Sequence, residues 1–236
     1  MTKQQKNCPR IKICGLTRAD EAVGCAELGA DAVGLVFFPK SPRHVSDEQG
    51  RAISTAVSGK SKIVGVFVNT SYDQVLRKAD VCRLDAIQLH GQESPDLVKR
   101  LGDAGLPVIK ALFMDGNPDL SQAELYEASA FLVECSKGPL PGGNAMAWDW
   151  GASKAFGRVR PLILAGGLSP ENVAKAVISS LPLAVDVSSG VERSPGRKDL
   201  DKVAAFINEV SKCGEYFGTK PRGKFIFGSS SLSVLF

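Results

Sequence analysis

The chain has 236 residues, 44% of them apolar, and a formal net charge of +4, which suits one large domain or two small ones. Lys and Arg are interspersed with Asp and Glu, so no basic stripe points to nucleic acid, and no apolar stretch approaches the roughly 20 residues needed to cross a bilayer. The six cysteines form no C-x-x-C pair and the polar N-terminus lacks a signal-peptide core, which predicts reduced thiols and a cytoplasmic protein.

In chain order, short runs rich in Val, Ile, Leu and Phe read as strands over 11–14, 32–38, 63–68, 86–90, 108–112, 131–134, 162–165 and 183–187. Between them, apolar residues recur at helical spacing over 19–29, 47–58, 72–79, 95–104, 120–128 and 172–179, with a last helix over 200–210. Eight such repeats predict an α/β protein, a single (βα)₈ TIM barrel over 10–212, rather than an open sheet, whose G-x-G-x-x-G turn is missing after the first strand. Residues 138–150 are dominated by Gly, Pro and small side chains and read as a long loop at the active site. Residues 213–236 have no place in the eight-unit plan and are expected to form a poorly ordered C-terminal extension.

Two strand ends stop at glycine: Leu162-Ile-Leu-Ala-Gly-Gly-Leu168 and Ala184-Val-Asp-Val-Ser-Ser-Gly190. The first runs into Ser169-Pro-Glu-Asn172, which reads as a helix start with Ser169 as cap and Pro170 in the first turn. Unhindered N–H groups after strands seven and eight of a barrel are a phosphate seat. They predict a small phosphorylated metabolite as the ligand.

Functional side chains of such a barrel collect at the C-terminal strand ends. Cys14 ends strand one, and Lys12 shares its face. A lysine there needs a carboxylate, which Asp186 of the adjacent strand eight supplies. A nearby cation favours the Cys14 thiolate, whereas an inert buried cysteine is the competing reading. Glu134 ends strand six on the opposite side, so the two could exchange protons with a ligand between them; a salt-bridged glutamate is the plainer alternative. Arg43 lies in the proline-pinned loop after strand two and could grip a carboxylate bidentately, or simply be solvated. Gln88 and His90 share a face of strand four. Only two histidines are present, with no metal-ligand spacing.

Six motifs together carry a resemblance: Lys12-Ile-Cys-Gly-Leu-Thr17, Gly34-Leu-Val-Phe-Phe-Pro-Lys-Ser-Pro-Arg43, Gly65-Val-Phe-Val-Asn69, Gln88-Leu-His-Gly91, Leu164-Ala-Gly-Gly-Leu-Ser-Pro-Glu-Asn-Val173 and Asp186-Val-Ser-Ser-Gly-Val-Glu192. In this order and spacing the chain resembles the phosphoribosylanthranilate isomerases of tryptophan biosynthesis, from about residue 10 to residue 210. The resemblance implies a cofactor-free, metal-free Amadori rearrangement of N-(5′-phosphoribosyl)anthranilate in a monomer or homodimer. It makes Cys14 the general base and Arg43 the anchor of the anthranilate carboxylate. Gly166, Gly167, Ser189 and Gly190 become the phosphate cradle, and Asp186 a polar group near the substrate. Two departures fall on the acid side. Glu134 stands where the family usually has aspartate, and the glycine-rich loop reads Gly142-Gly-Asn-Ala145 before Ala147-Trp-Asp-Trp150. Glu134 is expected to be the working acid. Another sugar-phosphate isomerase, or a sugar-phosphate-binding barrel without turnover, would share the fold and the phosphate seat.

Overall fold

Alternate strand residues point into a closed ring in the computed structural model, which describes residues 8–135 and 147–217. Eight parallel strands pair in sequence order and β8 closes on β1. They are β1 Arg10–Cys14, β2 Ala32–Val36, β3 Lys62–Phe67, β4 Ala86–Leu89, β5 Val108–Phe113, β6 Ala130–Glu134, β7 Leu162–Leu164 and β8 Ala184–Val187. The helices are α1 Ala19–Leu28, α2 Asp47–Ala56, α3 Tyr72–Cys82, α4 Pro95–Asp103, α5 Lys154–Val159, α6 Val173–Ser180 and α7 Leu200–Lys212. This is the expected (βα)₈ barrel.

Local chemistry sets the helix starts. Ser46 and Gln49 form a reciprocal capping box on α2, Ser94 accepts the Leu97 N–H ahead of α4, and Asp199 accepts two N–H groups of α7. Small and branched residues such as Ala32, Val64, Ala86, Ala111, Leu132 and Ile163 fill the barrel. Their strand neighbours, among them Val33, Leu35, Ile87 and Val185, pack outward in the core that includes the helices.

Two expected elements differ. The helix expected over 120–128 is a 3₁₀ turn, Leu120–Leu125, in which only Ala123 is buried. With Ala123 buried, Leu120 packed on the core and Leu125 exposed, the segment buries only a narrow apolar strip, which gives an α-helix little tertiary stabilisation. Ser169 is not a helix cap either. The Asn172 side chain accepts the Ser169 N–H at 2.8 Å and donates to Gly167 O at 2.9 Å, so 169–172 stays a turn and α6 starts at Val173.

A hairpin absent from the sequence reading follows β8: β9 Glu192–Ser194 and β10 Arg197–Lys198. Thr17 Oγ1 donates to Gly196 O at 2.6 Å, and Glu21 accepts from Arg193, Arg197 and the Lys198 N–H. The hairpin is thereby tied to the loop after β1 and to the first turn of α1. Cys213–Phe217 forms a 3₁₀ turn with Cys213 and Phe217 buried. The rest of the expected extension and residues 136–146, including Gly142 to Ala145, lie outside the described residues.

Candidate active site

Cys14 ends β1 facing the barrel mouth beside Gly34 of β2. A Cβ at Gly34 would stand 2.8 Å from Cys14 Sγ and 3.2 Å from Lys12 Nζ, so glycine leaves room for both side chains. Lys12 is completely buried, and its ammonium meets Asp186 at 2.8 Å. These two residues are register partners across the β1–β8 seam, as the strand parity requires. Burial pushes the Cys14 thiol above its ordinary value, and the Asp186 charge adds to that; Lys12 and Lys198 pull it down without prevailing. The neighbouring lysine favours the thiolate, as its charge requires, but desolvation outweighs it.

Arg43 returns over the mouth because Val45 N–H donates to Val36 O, closing the loop of 37–44. Its stem crosses Gly15, where a Cβ would come within 2.5 Å of Arg43 Cδ. The guanidinium gives its Nε and Nη2 edge to Glu192, at 2.8 and 2.7 Å, in a buried pair. Lys198 Nζ, also buried, meets the same carboxylate at 2.8 Å and Ser188 O at 3.0 Å. Arg43 and Lys198 together outweigh the burial of Glu192 and hold its carboxyl below the usual range. Beside this cluster, Cys14, Val36 and Val66 form a small apolar group of their own, with Phe38 packed on it.

Glu134 ends β6, three strands round the ring from β1. Its Oε1 lies 2.9 Å from His90 Nε2, and His90 Nδ1 lies 2.9 Å from Gln88 Nε2. With the Gln88 amide nitrogen facing it, Nδ1 accepts and Nε2 is left to donate to Glu134, an orientation that leaves Gln88 Oε1 buried without a partner among the described residues. All three side chains are buried.

Gly166 and Gly167 follow β7 with φ of +84° and +67°, a backbone that glycine adopts without strain. Trp148 Nε1 donates to Ala165 O at 2.9 Å and Trp150 Nε1 to Gly166 O at 3.0 Å. Ser189 and Gly190 lie in a 3₁₀ turn after β8. A Cβ on Gly190 would sit 1.9 Å from Leu168 O, so the β7 and β8 loops touch through that glycine. A Cβ on Gly166 would lie 3.1 Å from Glu134 Cβ, which puts the glycine loop against the acid.

A family model for N-(5′-phosphoribosyl)anthranilate (PRA) isomerase matches residues 11–209. The chain belongs to this family. The N-(5′-phosphoribosyl)anthranilate isomerase of Desulfatibacillum aliphaticivorans is 51% identical over 205 residues, 87% of this chain and 94% of that one. The crystal structure of phosphoribosyl anthranilate isomerase from Thermotoga maritima superposes with a TM-score of 0.80 at 40% identity, covering 86% of this chain and 99% of that one. A phosphoribosyl anthranilate isomerase solved in complex with reduced 1-(o-carboxyphenylamino)-1-deoxyribulose 5-phosphate gives 0.77 at 39% identity, with coverage of 86% and 99%.

The eight residues given catalytic or substrate-binding roles from the sequence thus stand at the C-terminal strand ends of an isomerase-family barrel or in the loops that follow them. The family motif ending in Glu192 drew attention to that residue's neighbours and not to its own part in holding Arg43. Lys198 had no sequence signal, because its contact depends on an irregular hairpin. Among the described residues, no group of His, Cys, Asp and Glu could hold a metal ion, and no helix is long and apolar enough to cross a membrane.

Proposed function

We propose that this chain isomerises N-(5′-phosphoribosyl)anthranilate to 1-(o-carboxyphenylamino)-1-deoxyribulose 5-phosphate in tryptophan biosynthesis, with Cys14 as general base and Glu134 as general acid. The observation that carries this reading is the placement of that thiol and that carboxyl at the ends of β1 and β6, both facing one mouth. Arg43 and the apolar group of Val36, Val66 and Phe38 stand on the thiol side and suit an aromatic carboxylate. The N–H groups of Gly166, Gly167, Ser189 and Gly190 suit the phosphate.

Glu134 gives its proton to the furanose oxygen as the C1′–O bond breaks, and the nitrogen lone pair forms a C1′–N iminium. The iminium acidifies C2′. Cys14, acting in the thiolate form that the Lys12 charge favours against desolvation, takes the C2′ proton, and the released pair forms the C1′–C2′ double bond while the nitrogen recovers its lone pair. The resulting enolamine becomes the ketone when the C2′ hydroxyl loses its proton and C1′ gains one. The electron pairs shift within the substrate, C1′ gaining what C2′ loses, and the protons pass through these side chains, so the step balances without an external oxidant or reductant. His90, donating to Glu134, stabilises the carboxylate left after the first transfer.

Loss of fluorescence from freshly generated N-(5′-phosphoribosyl)anthranilate tests the assignment. Cys14→Ser and Glu134→Gln should each lower kcat by about 100-fold or more. Tight binding without turnover by the unaltered protein would instead identify a binding barrel, and full activity in Glu134→Gln would move the acid elsewhere.

A further inference from the structure

The cluster of Arg43, Lys198 and Glu192 holds two cations on one carboxylate, and all three side chains are buried. Of the neighbouring charges, Lys12 is matched by Asp186, while Glu21, which accepts the Lys198 N–H, is shared by Arg193 and Arg197, whose side chains are 54% and 41% exposed, so the surplus there faces solvent. The buried surplus at the mouth beside Cys14 is therefore the one positive charge of the Arg43, Lys198 and Glu192 cluster. Without Lys198, Arg43 and Glu192 would form a closed, neutral pair with no electrostatic demand for a further anion. Glu192 uses the Nε and Nη2 edge of Arg43.

We infer that Lys198 is a specificity-determining residue: it supplies the uncompensated charge that lets Arg43, already paired with Glu192, take up one carboxylate of the substrate. This rests on the reading that Arg43 receives the anthranilate carboxylate. Lys198 touches no ligand itself and acts through Glu192 and Arg43. An unbalanced buried cation is costly until an anion arrives. In keeping with that, burial lowers the Lys198 ammonium below the ordinary lysine range even though Glu192 opposes it. A ligand carrying one carboxylate brings the cluster to neutrality, while a ligand without one leaves it unbalanced. The inferred device therefore reads the charge of the aglycone and is independent of the phosphate seat.

The test compares kcat/KM for N-(5′-phosphoribosyl)anthranilate and for N-(5′-phosphoribosyl)aniline, which lacks the carboxylate. The ratio of the two cancels effects on Cys14 and on phosphate binding. Lys198→Met should reduce the preference for the carboxylate-bearing substrate by about tenfold or more. The double variant Lys198→Met with Glu192→Gln leaves Arg43 as the only charge, which restores one net positive charge and should bring the preference back to within about threefold of the unaltered protein. A merely structural lysine would not be rescued by removing a second charge. Lys198→Gln serves in place of Lys198→Met should the latter not fold. An unchanged preference in the single variant, or a double variant no better than the single, overturns the inference. If Arg43→Met itself leaves the preference intact, the underlying assignment of Arg43 fails instead, so the two failures are told apart.

Discussion

Cys14 sits where water is largely excluded, and that sets its pH behaviour. Burial, with a smaller push from Asp186, raises the thiol pKa above the ordinary value, so the thiolate grows only as pH climbs through and beyond the usual thiol range. Alkylation of Cys14 by iodoacetamide should therefore be slow at neutral pH and accelerate into that alkaline range. Lys12 works in the opposite direction, so Lys12→Met should move the curve further up. A thiol that alkylates fully at pH 6 would contradict this account. Strand parity was enough to anticipate the Lys12 and Asp186 pair, because a closed ring puts β8 next to β1. The contact between His90 and Glu134 was not legible, since it joins the ends of β4 and β6 past the intervening β5 and depends on side-chain reach. Arg43 was seen as available, while its engagement by Glu192, 149 residues away, depends on a hairpin with no period to read.

At the level of elements, the two glycine-marked loops work as one piece. Gly190 passes so close to Leu168 O that a methyl group there must displace backbone rather than a side chain. Gly190→Ala should cost about 1–3 kcal/mol of stability, and by separating the β7 and β8 loops it should raise KM for the phosphorylated substrate more than it lowers kcat. Chemical denaturation and steady-state kinetics check both parts; an unaltered KM would show that the loops do not share the phosphate. All eight strands were legible in the sequence to within two residues at each end, because buried strands are continuous apolar runs. The misread helix at 120–128 had apolar residues at helical spacing, yet only some of them reach the core: Ala123 and Tyr126 are buried, while Leu125 is exposed. Periodicity reports which residues could face a core, not whether a core lies there.

For the molecule as a whole, barrel closure passes through one buried ion pair. Lys12 and Asp186 stand opposite each other on β1 and β8, the strands that join the beginning of the barrel to its end. Lys12→Met leaves a buried carboxylate without its cation and should cost about 3–5 kcal/mol, whereas adding Asp186→Leu should recover most of that stability while leaving the site without its seam charges. Urea unfolding midpoints of the two variants decide it, and a single variant as stable as the original would mean that the seam does not depend on charge. The chain contains only two tryptophans, and both donate their indole N–H to carbonyls of the loop that follows β7. Intrinsic ultraviolet emission from this protein thus originates beside the phosphate seat, and an anthraniloyl group absorbs in the band where indoles emit. Occupancy can therefore be followed by energy transfer, with no label added and in variants that no longer turn over.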